Sequence, residues 1–408
     1  MSAHIVAIEL GTLQRRVKAA VKVMGTELVG IRQSRGRILA ETIRTATPHP
    51  LHDVSVMDGF AVRHTDIAKA TPRRPVALAI VGEVAAGQTL GRRLRPGCAV
   101  RIMTGAPLPP GADCVIRVED VRESGANVLI RQSAPKHWDV RRKGTDMRRG
   151  IIVLRRGSVI GPSEMAMLAL LDRPRVTVYQ RPRVGILSTG DELGPVGRPR
   201  PPGYIPDSNR YGLLGLVASA GCVPVDGGRA GDDPEVLLRH LRSLARRSDF
   251  IVTSGGVSAG DYDVVKILFR EIGGVTLYRL PMKPGKPQAF GRIDGVPFFG
   301  LPGNPVSSMV VFDFLVRPAL RRMAGAQRTD LVGFPARTAC DFPQKSRKWE
   351  FMRVAARPRD GHWLVRPIRS QRSSNLKSMT EADGYVVLAP GLPIPQKGET
   401  VTFIPFPT

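Results

Sequence analysis

The sequence predicts a multidomain protein of α/β plus β type, with a three-layer α/β domain, a β-rich inserted region and a C-terminal β-barrel. Three observations carry this. Between about 180 and 325, apolar runs alternate with helical segments, the pattern of helices packed on both faces of a sheet. From about 45 to 150 the chain holds Gly, Pro and short Val/Ile/Ala runs with little helical periodicity. Beyond Gln327, short strands with Gly and Pro turns return over a length that suits a small barrel. The 408 residues also exceed one ordinary core.

The elements follow in order. An N-terminal helical and linker segment, 1–45, pairs with 146–176 around an insertion at 46–145; the α/β domain spans 177–326 and the barrel 327–408. Residues 13–24 are amphipathic and read as a helix, and 36–41 start the next element. In the insertion, 76–81 and 114–118 read as strands. A helix returns over 163–171, and 176–179 reads as a connecting strand. In the α/β domain, 184–187, 250–252 and 296–301 are apolar runs of buried-strand type. Asp207-Ser-Asn209 caps a helix over 211–220. Asp232-Asp233-Pro234 opens another helix with a cap and a first-turn proline, and Asn304-Pro305 does the same before 306–315. No internal repeat or low-complexity tract is present.

Composition bounds the function. With 42% hydrophobic and 24% charged residues, the chain is globular rather than disordered. Lys and Arg number 61 against 35 Asp and Glu, a net charge of +26, which attracts polyanions weakly whatever the function, a polyanionic small substrate included. Aromatic residues, at 5%, are too sparse for a base-stacking platform. No helix-turn-helix, finger or RNA-binding signature appears, so no dedicated nucleic-acid binding is expected. No apolar run approaches ~18 residues, so no membrane span is expected. The N-terminus lacks the basic start and apolar core of a signal peptide. Cys98, Cys114, Cys222 and Cys340 are scattered without a C-x-x-C pair. They suggest neither zinc nor disulfides, and fit buried thiols in a reducing, cytoplasmic setting.

Candidate chemistry concentrates in three glycine-rich stretches: Ser188 to Glu192 (STGDE), Thr253 to Asp263 (TSGGVSAGDYD) and Gly300 to Pro305 (GLPGNP). Each follows a strand and is expected to open into a helix. In a parallel sheet such turns collect at one edge, where ligands bind. Small residues there let the backbone approach a ligand, and helix N-termini favour anions. Glu192, Asp232 and Asp263 sit at or just after strand-to-helix turns. A single Asp there would serve the helix dipole alone. Three carboxylates beside three glycine turns point instead to Mg²⁺, which takes one or two carboxylates plus substrate phosphates. Lys283 and Lys286 lie on a turn stiffened by Pro284 and Pro287, which suits an oxyanion. There is no G-x-G-x-x-G, no P-loop and no G-x-S-x-G. His49, His52 and His64 have spacing that fits no metal helix.

These stretches carry a resemblance. Ser188 to Leu193 (STGDEL), Thr253 to Asp263, Met282 to Pro287 (MKPGKP) and Gly300 to Ser307 (GLPGNPVS) look like the molybdopterin molybdenumtransferase family, which includes bacterial MoeA proteins and the C-terminal domain of gephyrin. Upstream, Ser55 to Ala61 (SVMDGFA), Arg101 to Ala106 (RIMTGA), Pro110 to Asp113 (PGAD) and Val140 to Asp146 (VRRKGTD) match as well. Downstream, Glu350 to Val354 (EFMRV) and Ser373 to Met379 fit the same family. The resemblance spans nearly the whole chain in order.

The resemblance implies a molybdopterin-binding α/β domain and the last step of molybdenum cofactor synthesis. Adenylated molybdopterin and molybdate would be the substrates, with AMP released in a Mg²⁺-assisted step. It places Asp58, Thr104, Glu192, Asp232, Asp263 and Lys283 in the catalytic set, with Glu192, Asp232 and Asp263 as the acidic residues that reach the metal. Substrate binding falls to Ser188, Thr189, Gly190, Ser254, Gly255, Gly256, Ser258, Arg279, Lys286, Pro302, Gly303, Asn304, Pro305, Arg353 and Ser373. Asp58 and Thr104 are far in sequence from the α/β domain; the family builds its cleft between two subunits, so a homodimer is implied. A molybdopterin adenylyltransferase is a candidate partner.

Some positions depart from the family pattern. Arg279 stands where a lysine is usual, keeping charge with different geometry. Arg372 replaces a glycine before Ser373, Thr145 a glutamate, and Phe60 a tyrosine. A specialised paralogue or a non-catalytic scaffold is one alternative, but Asp58, Glu192, Asp232 and Asp263 are intact. An adenylyltransferase is another, though a lone α/β domain would suffice for that.

Overall fold

In the computed structural model, the structure describes residues 5–199, 201–256, 274–343 and 347–407. The chain divides into two compact units. One contains Met1–Glu41, Arg156–Ala166 and Pro174–Thr408; the other contains Thr42–Arg155 and Met167–Arg173.

The first unit is built on a seven-stranded sheet. Its order is Ile5–Ala7, Val275–Arg279, Pro287–Ile293, Val296–Leu301, Phe250–Ser254, Arg183–Thr189 and Val223–Ala230. Successive residues of a strand face opposite sides, and the two sides are covered by different helices. Ile186, Val252 and Phe299 pack with Leu13 and Val17 of Leu10–Ala19, Leu213 and Val217 of Ser208–Ser219, and Val306 and Val310 of Pro305–Val311. Leu187, Ile251 and Phe298 face Leu237, Leu241 and Leu244 of Pro234–Ala245. This is the three-layer arrangement expected from the sequence.

The details differ in places. The sheet is mixed, not parallel, because Pro287–Ile293 runs antiparallel to both neighbours. Asp294 and Gly295, both at positive φ (47° and 80°), form the two-residue hairpin between Ile293 and Val296. Asp-Gly is a strong signal for that turn. The first helix is Leu10–Ala19, not 13–24, because Leu10, Leu13 and Val17 make the buried stripe and Thr26–Gly30 is already a strand. The turn after Arg183–Thr189 does not open directly into a helix. Leu193–Gly194 pairs with Ile205–Pro206, and the intervening Pro195, Gly197, Pro199 and Gly203 break any helix. Helix Ser208–Ser219 starts only where Asp207 accepts the Arg210 backbone N–H.

The C-terminal strands close on themselves. Trp349–Arg359 pairs with His362–Pro367, which leads through Phe334–Thr338, Thr400–Pro405 and Gly384–Leu388 back to Trp349–Arg359. This is a five-stranded barrel around Ala336, Val354, Val365, Val386 and Phe403. Met282–Lys283 adds in parallel to Trp349 and Glu350, joining the barrel to the turn of the α/β domain. A buried polar network makes a second join. Asp313, in a π-helical turn over Phe312–Val316, accepts hydrogen bonds from Arg317 Nε at 2.9 Å and from the Tyr385 hydroxyl at 2.9 Å. Arg317 also donates to Ser219 Oγ at 3.1 Å.

The second unit holds a six-stranded sheet in the order Cys114–Arg117, Gly59–Val62, Cys98–Ile102, Val76–Val84, Asn127–Ile130 and Val121–Ser124. Phe60, Val62, Ile116 and Val128 pack on one face, and Ala61, Val100, Ile102 and Val115 on the other. The cysteines correct the expectation of four buried thiols. Cys114 and Cys222 are buried, and burial pushes both thiols up to about 12. Cys98 is half-buried and Cys340 exposed, because Cys340 lies in the bend that follows strand Phe334–Thr338.

Two predictions follow from this packing. Removing the carboxylate in Asp313→Ala leaves the Arg317 guanidinium buried and uncompensated, which costs about 3–5 kcal/mol; thermal or denaturant unfolding should show this loss. Alkylation at pH 8 should label Cys340 first and Cys98 more slowly. Cys114 and Cys222 should react only in denaturant, as read by mass spectrometry.

Candidate active site

The parallel pairing fixes where the glycine turns lie. Ser188 is in register with Ser254, and Ser254 with Leu301, so three strands end together at one sheet edge. The turns then pack without side chains between them. Gly255 has φ of +100°, and its N–H donates to the Leu301 carbonyl at 3.1 Å. A Cβ there would overlap the Thr189 carbonyl, and one on Gly190 would overlap the Glu192 carboxylate. The Asn209 amide donates to Ser254 Oγ and to the Gly303 carbonyl, both at 2.7 Å. Ser308 Oγ donates to the Pro302 carbonyl at 2.6 Å and lies 3.1 Å from Ser254 Oγ. Asp207 accepts from Ser188 Oγ at 2.9 Å and from Arg210 Nε at 3.1 Å. Arg210 is in turn paired with Asp226 at 3.0 Å.

These turns line a cavity of about 1560 Å³. Ser188, Thr189, Gly190 and Glu192 contribute from the first turn, Ser254, Gly255 and Gly256 from the second, and Pro302, Gly303, Asn304 and Pro305 from the third. Asp232 lines it too, its backbone N–H held by Asp191 Oδ1 at 3.0 Å. Lys283 and Lys286 come from the proline turn, where Gln288 Nε2 donates to the Gly285 carbonyl at 2.8 Å. Lys283 Nζ lies 3.5 Å from Glu350 Oε1, whose side chain is buried. The barrel adds Lys348, Gln371, Arg372 and Ser373. The Ser373 carbonyl accepts the Val306 N–H at 3.1 Å, which seats this loop on the first turn of helix Pro305–Val311.

Other expected residues lie elsewhere. Arg353 is not on the cavity: it is 1% exposed, inside the barrel end, where its guanidinium donates to backbone carbonyls. Arg279 is exposed on an inner strand of the sheet, paired with Ala7 and Pro287, and does not line the cavity. Asp58 and Thr104 belong to the second unit. There Asp58 Oδ1 accepts the Thr104 N–H at 2.7 Å and its hydroxyl at 2.8 Å. The backbone bond first, then the hydroxyl, hold the Asp58 carboxyl below its usual range. Ser258 and Asp263 lie outside the described residues.

Sequence reasoning treated Asp207 and Asn209 only as helix-cap residues; the structure makes them the clamp between turns. A polar Asp-Ser-Asn triplet after a strand was the available signal. Lys348 and Gln371 carried no local signal, since only barrel closure brings them here.

Among the described residues, no group of three or more His, Cys, Asp or Glu is placed to hold a metal. Glu192 and Asp232 are nonetheless exposed carboxylates on one cavity. A pair of that kind suits Mg²⁺ shared with substrate phosphates. Carboxylates from sheet-end turns, faced by lysines and a barrel loop, make this an α/β protein with one large cavity of mixed charge at the ends of its strands. Family models match almost the whole chain: the MoeA N-terminal region (domain I and II) over residues 8–171, the probable molybdopterin binding domain over 185–322, and the MoeA C-terminal region (domain IV) over 335–406. Molybdopterin molybdenumtransferase of Nostoc sp. is 33% identical, over 94% of this chain and 89% of the relative. Molybdopterin molybdenumtransferase 2 of Mycobacterium tuberculosis is 39% identical, over 76% and 78%. The crystal structure of the molybdopterin biosynthesis MoeA protein from Pyrococcus horikosii superposes with a TM-score of 0.85 at 32% identity, over 98% of this chain and 99% of that one. The chain belongs to the molybdopterin molybdenumtransferase family, transferases of molybdenum cofactor biosynthesis.

The close approach of the turns is testable. Gly255→Ala forces a Cβ against the Thr189 carbonyl at a positive φ. It should lower stability by roughly 1–3 kcal/mol, read as a fall in Tm, and should disturb ligand binding more than Gly295→Ala, whose Cβ meets open space.

Proposed function

We propose that this chain inserts molybdenum from molybdate into adenylated molybdopterin with release of AMP. The observation that carries this reading is one cavity lined by Glu192 and Asp232 from the α/β turns and by Lys283, Lys286, Lys348 and Arg372 from the proline turn and barrel. A substrate that pairs a pyrophosphate with a second, tetrahedral oxyanion needs both kinds of surface.

In this reading the glycine turns bind the nucleotide end through backbone N–H groups and small side chains. Glu192 and Asp232 would hold Mg²⁺, which when bound supplies Lewis-acid polarisation of the phosphate oxygens. Lys283 and Lys286 orient the anion and stabilise the negative charge that grows on the departing oxygen. The bond that breaks is the phosphoanhydride P–O bond. Water attacks the adenylyl phosphorus, the bond's electron pair stays with the bridging oxygen on the molybdopterin phosphate, and AMP leaves carrying the water oxygen, with the water's protons shared between the two phosphates. One oxygen of molybdate then leaves as water with the two thiol protons as both dithiolene sulfurs bind molybdenum. Asp58 and Thr104 are assigned to the catalytic set through family likeness, acting in a homodimer where each copy completes its partner's site. The setting proposed is the cytoplasm, with a molybdopterin adenylyltransferase supplying the substrate.

The test is AMP release from adenylated molybdopterin by the purified chain, with and without molybdate and Mg²⁺. Release that depends on both, together with formation of active cofactor, is the expected result; no release under any metal overturns the function. Glu192→Ala should lower the rate by about 100-fold or more with unchanged Tm. Full activity of a folded Glu192→Ala variant overturns the site assignment.

A further inference from the structure

A second, smaller pocket of about 370 Å³ shares Asn209 and Pro305 with the large cavity. Leu213 and Leu216 of helix Ser208–Ser219, Met309 of helix Pro305–Val311, Met379 and Phe406 make its walls apolar. Its volume falls in the small-molecule range of about 300–1,000 Å³. Apolar spaces of this kind stay dry and take up small aromatic molecules. Gly212 lines the pocket from within helix Ser208–Ser219, without a left-handed φ. A Cβ there would stand 3.7 Å from Met309 Cε, an ordinary contact, so no clash requires glycine. Glycine weakens a helix relative to alanine, and what it supplies here is space.

Three polar residues belong to this apolar lining. Asp313, 2% exposed, accepts one hydrogen bond at each oxygen, from Arg317 Nε and from the Tyr385 hydroxyl. An ionised carboxylate has about four acceptor positions, so Asp313 can take a further donor. Its charge is already matched by the buried Arg317 guanidinium. A charged ligand would therefore bury an uncompensated charge, and a neutral one would not. Asn209 and Ser308 are the other two. Their hydrogen bonds hold the turns of the large cavity: Asn209 to Ser254 and Gly303, and Ser308 to Pro302.

We propose that this pocket is a second binding site, for a neutral, compact apolar molecule that carries one O–H or N–H donor for Asp313. Such a molecule packs on Asn209 and Ser308, so its presence steadies the turns and tightens nucleotide binding in the large cavity. The coupling rests on the transferase reading above; the pocket itself does not.

The probe is 2-naphthol, titrated calorimetrically into the full chain, with naphthalene and 2-naphthoate as controls and AMP as the cavity ligand. 2-Naphthol should bind, naphthalene should bind about tenfold more weakly for want of the donor, and 2-naphthoate should not bind. Gly212→Leu should abolish binding without lowering Tm, since it fills the pocket and removes a helical glycine. Gly215→Leu, on the same helix with open space around it, should bind 2-naphthol as the unaltered chain does. Saturating 2-naphthol should tighten AMP binding about fivefold, and saturating AMP should tighten 2-naphthol binding by the same factor. The site is overturned if 2-naphthol does not bind, if 2-naphthoate binds equally well, or if binding survives in a folded Gly212→Leu variant. Should Gly212→Leu fail to fold, Gly212→Ala, whose Cβ fits, must weaken binding, and unchanged affinity overturns the site. Unchanged AMP affinity at saturating 2-naphthol overturns the coupling alone. A chain that binds 2-naphthol but not AMP overturns the nucleotide reading and leaves the pocket standing.

Discussion

The cavity depends on how closely three strand ends can approach. Their register is set by parallel backbone pairing, which puts Ser188, Ser254 and Leu301 side by side. The turns that follow can then meet only if side chains are left out. Gly255 satisfies this: the Cβ it lacks would stand 2.4 Å from the Thr189 carbonyl oxygen. With the backbones this close, the polar groups of Asn209, Ser254 and Ser308 find partners across turns instead of in water. A buried polar network of this kind is favourable only when its members are satisfied, and here each bond also fixes a wall of the site.

A second constraint joins the barrel to the α/β domain. Three contacts of different type serve it: the pairing of Met282–Lys283 with Trp349 and Glu350, the Ser373 carbonyl on the Val306 N–H, and the Tyr385 hydroxyl on Asp313. The first two lie at the cavity and the third lies behind it. Asp313 is held by Arg317 on its own helix and by Tyr385 on a barrel strand, so neither element can shift without exposing a buried charge. The π-helical turn at Phe312–Val316 falls where the Asp313 side chain must face the barrel. Wide turns of this sort are often kept where a helix re-aims a side chain.

Much of this was legible in the sequence because it is local. Strand 296–301, the cap at Asp233 and the glycine turns each follow from a few adjacent residues, whereas Asn304 stands at the N-cap position with no side-chain cap hydrogen bond. The barrel was legible as a class, from short strands and turn residues, but its closure was not, since Trp349–Arg359 meets Gly384–Leu388 across about thirty intervening residues. The same non-locality hid Lys348 and Gln371. The Pro287–Ile293 strand is signalled by Asp294-Gly295, but its place between Val275–Arg279 and Val296–Leu301 follows only from pairing with a strand outside the hairpin. Arg353 differs for another reason: an arginine in a family-like motif reads as a ligand contact, while in the structure its side chain is buried away from the cavity lining.

The cations of the cavity are not equivalent, and this bears on how an anion would be handled. Lys283 stands 3.5 Å from the buried Glu350 carboxylate, which holds its chain in place. Lys286 and Lys348 have no carboxylate partner among the described residues, so their heads are available to move with a ligand. A tethered charge keeps its geometry when the substrate's charge shifts, and preorganised groups are those that favour a transition state over a ground state. The chain's +26 net charge therefore says little about chemistry by itself. It attracts polyanions to the chain as a whole, whereas the geometry of a bound anion depends on cations whose positions are held, such as Lys283 beside Glu350.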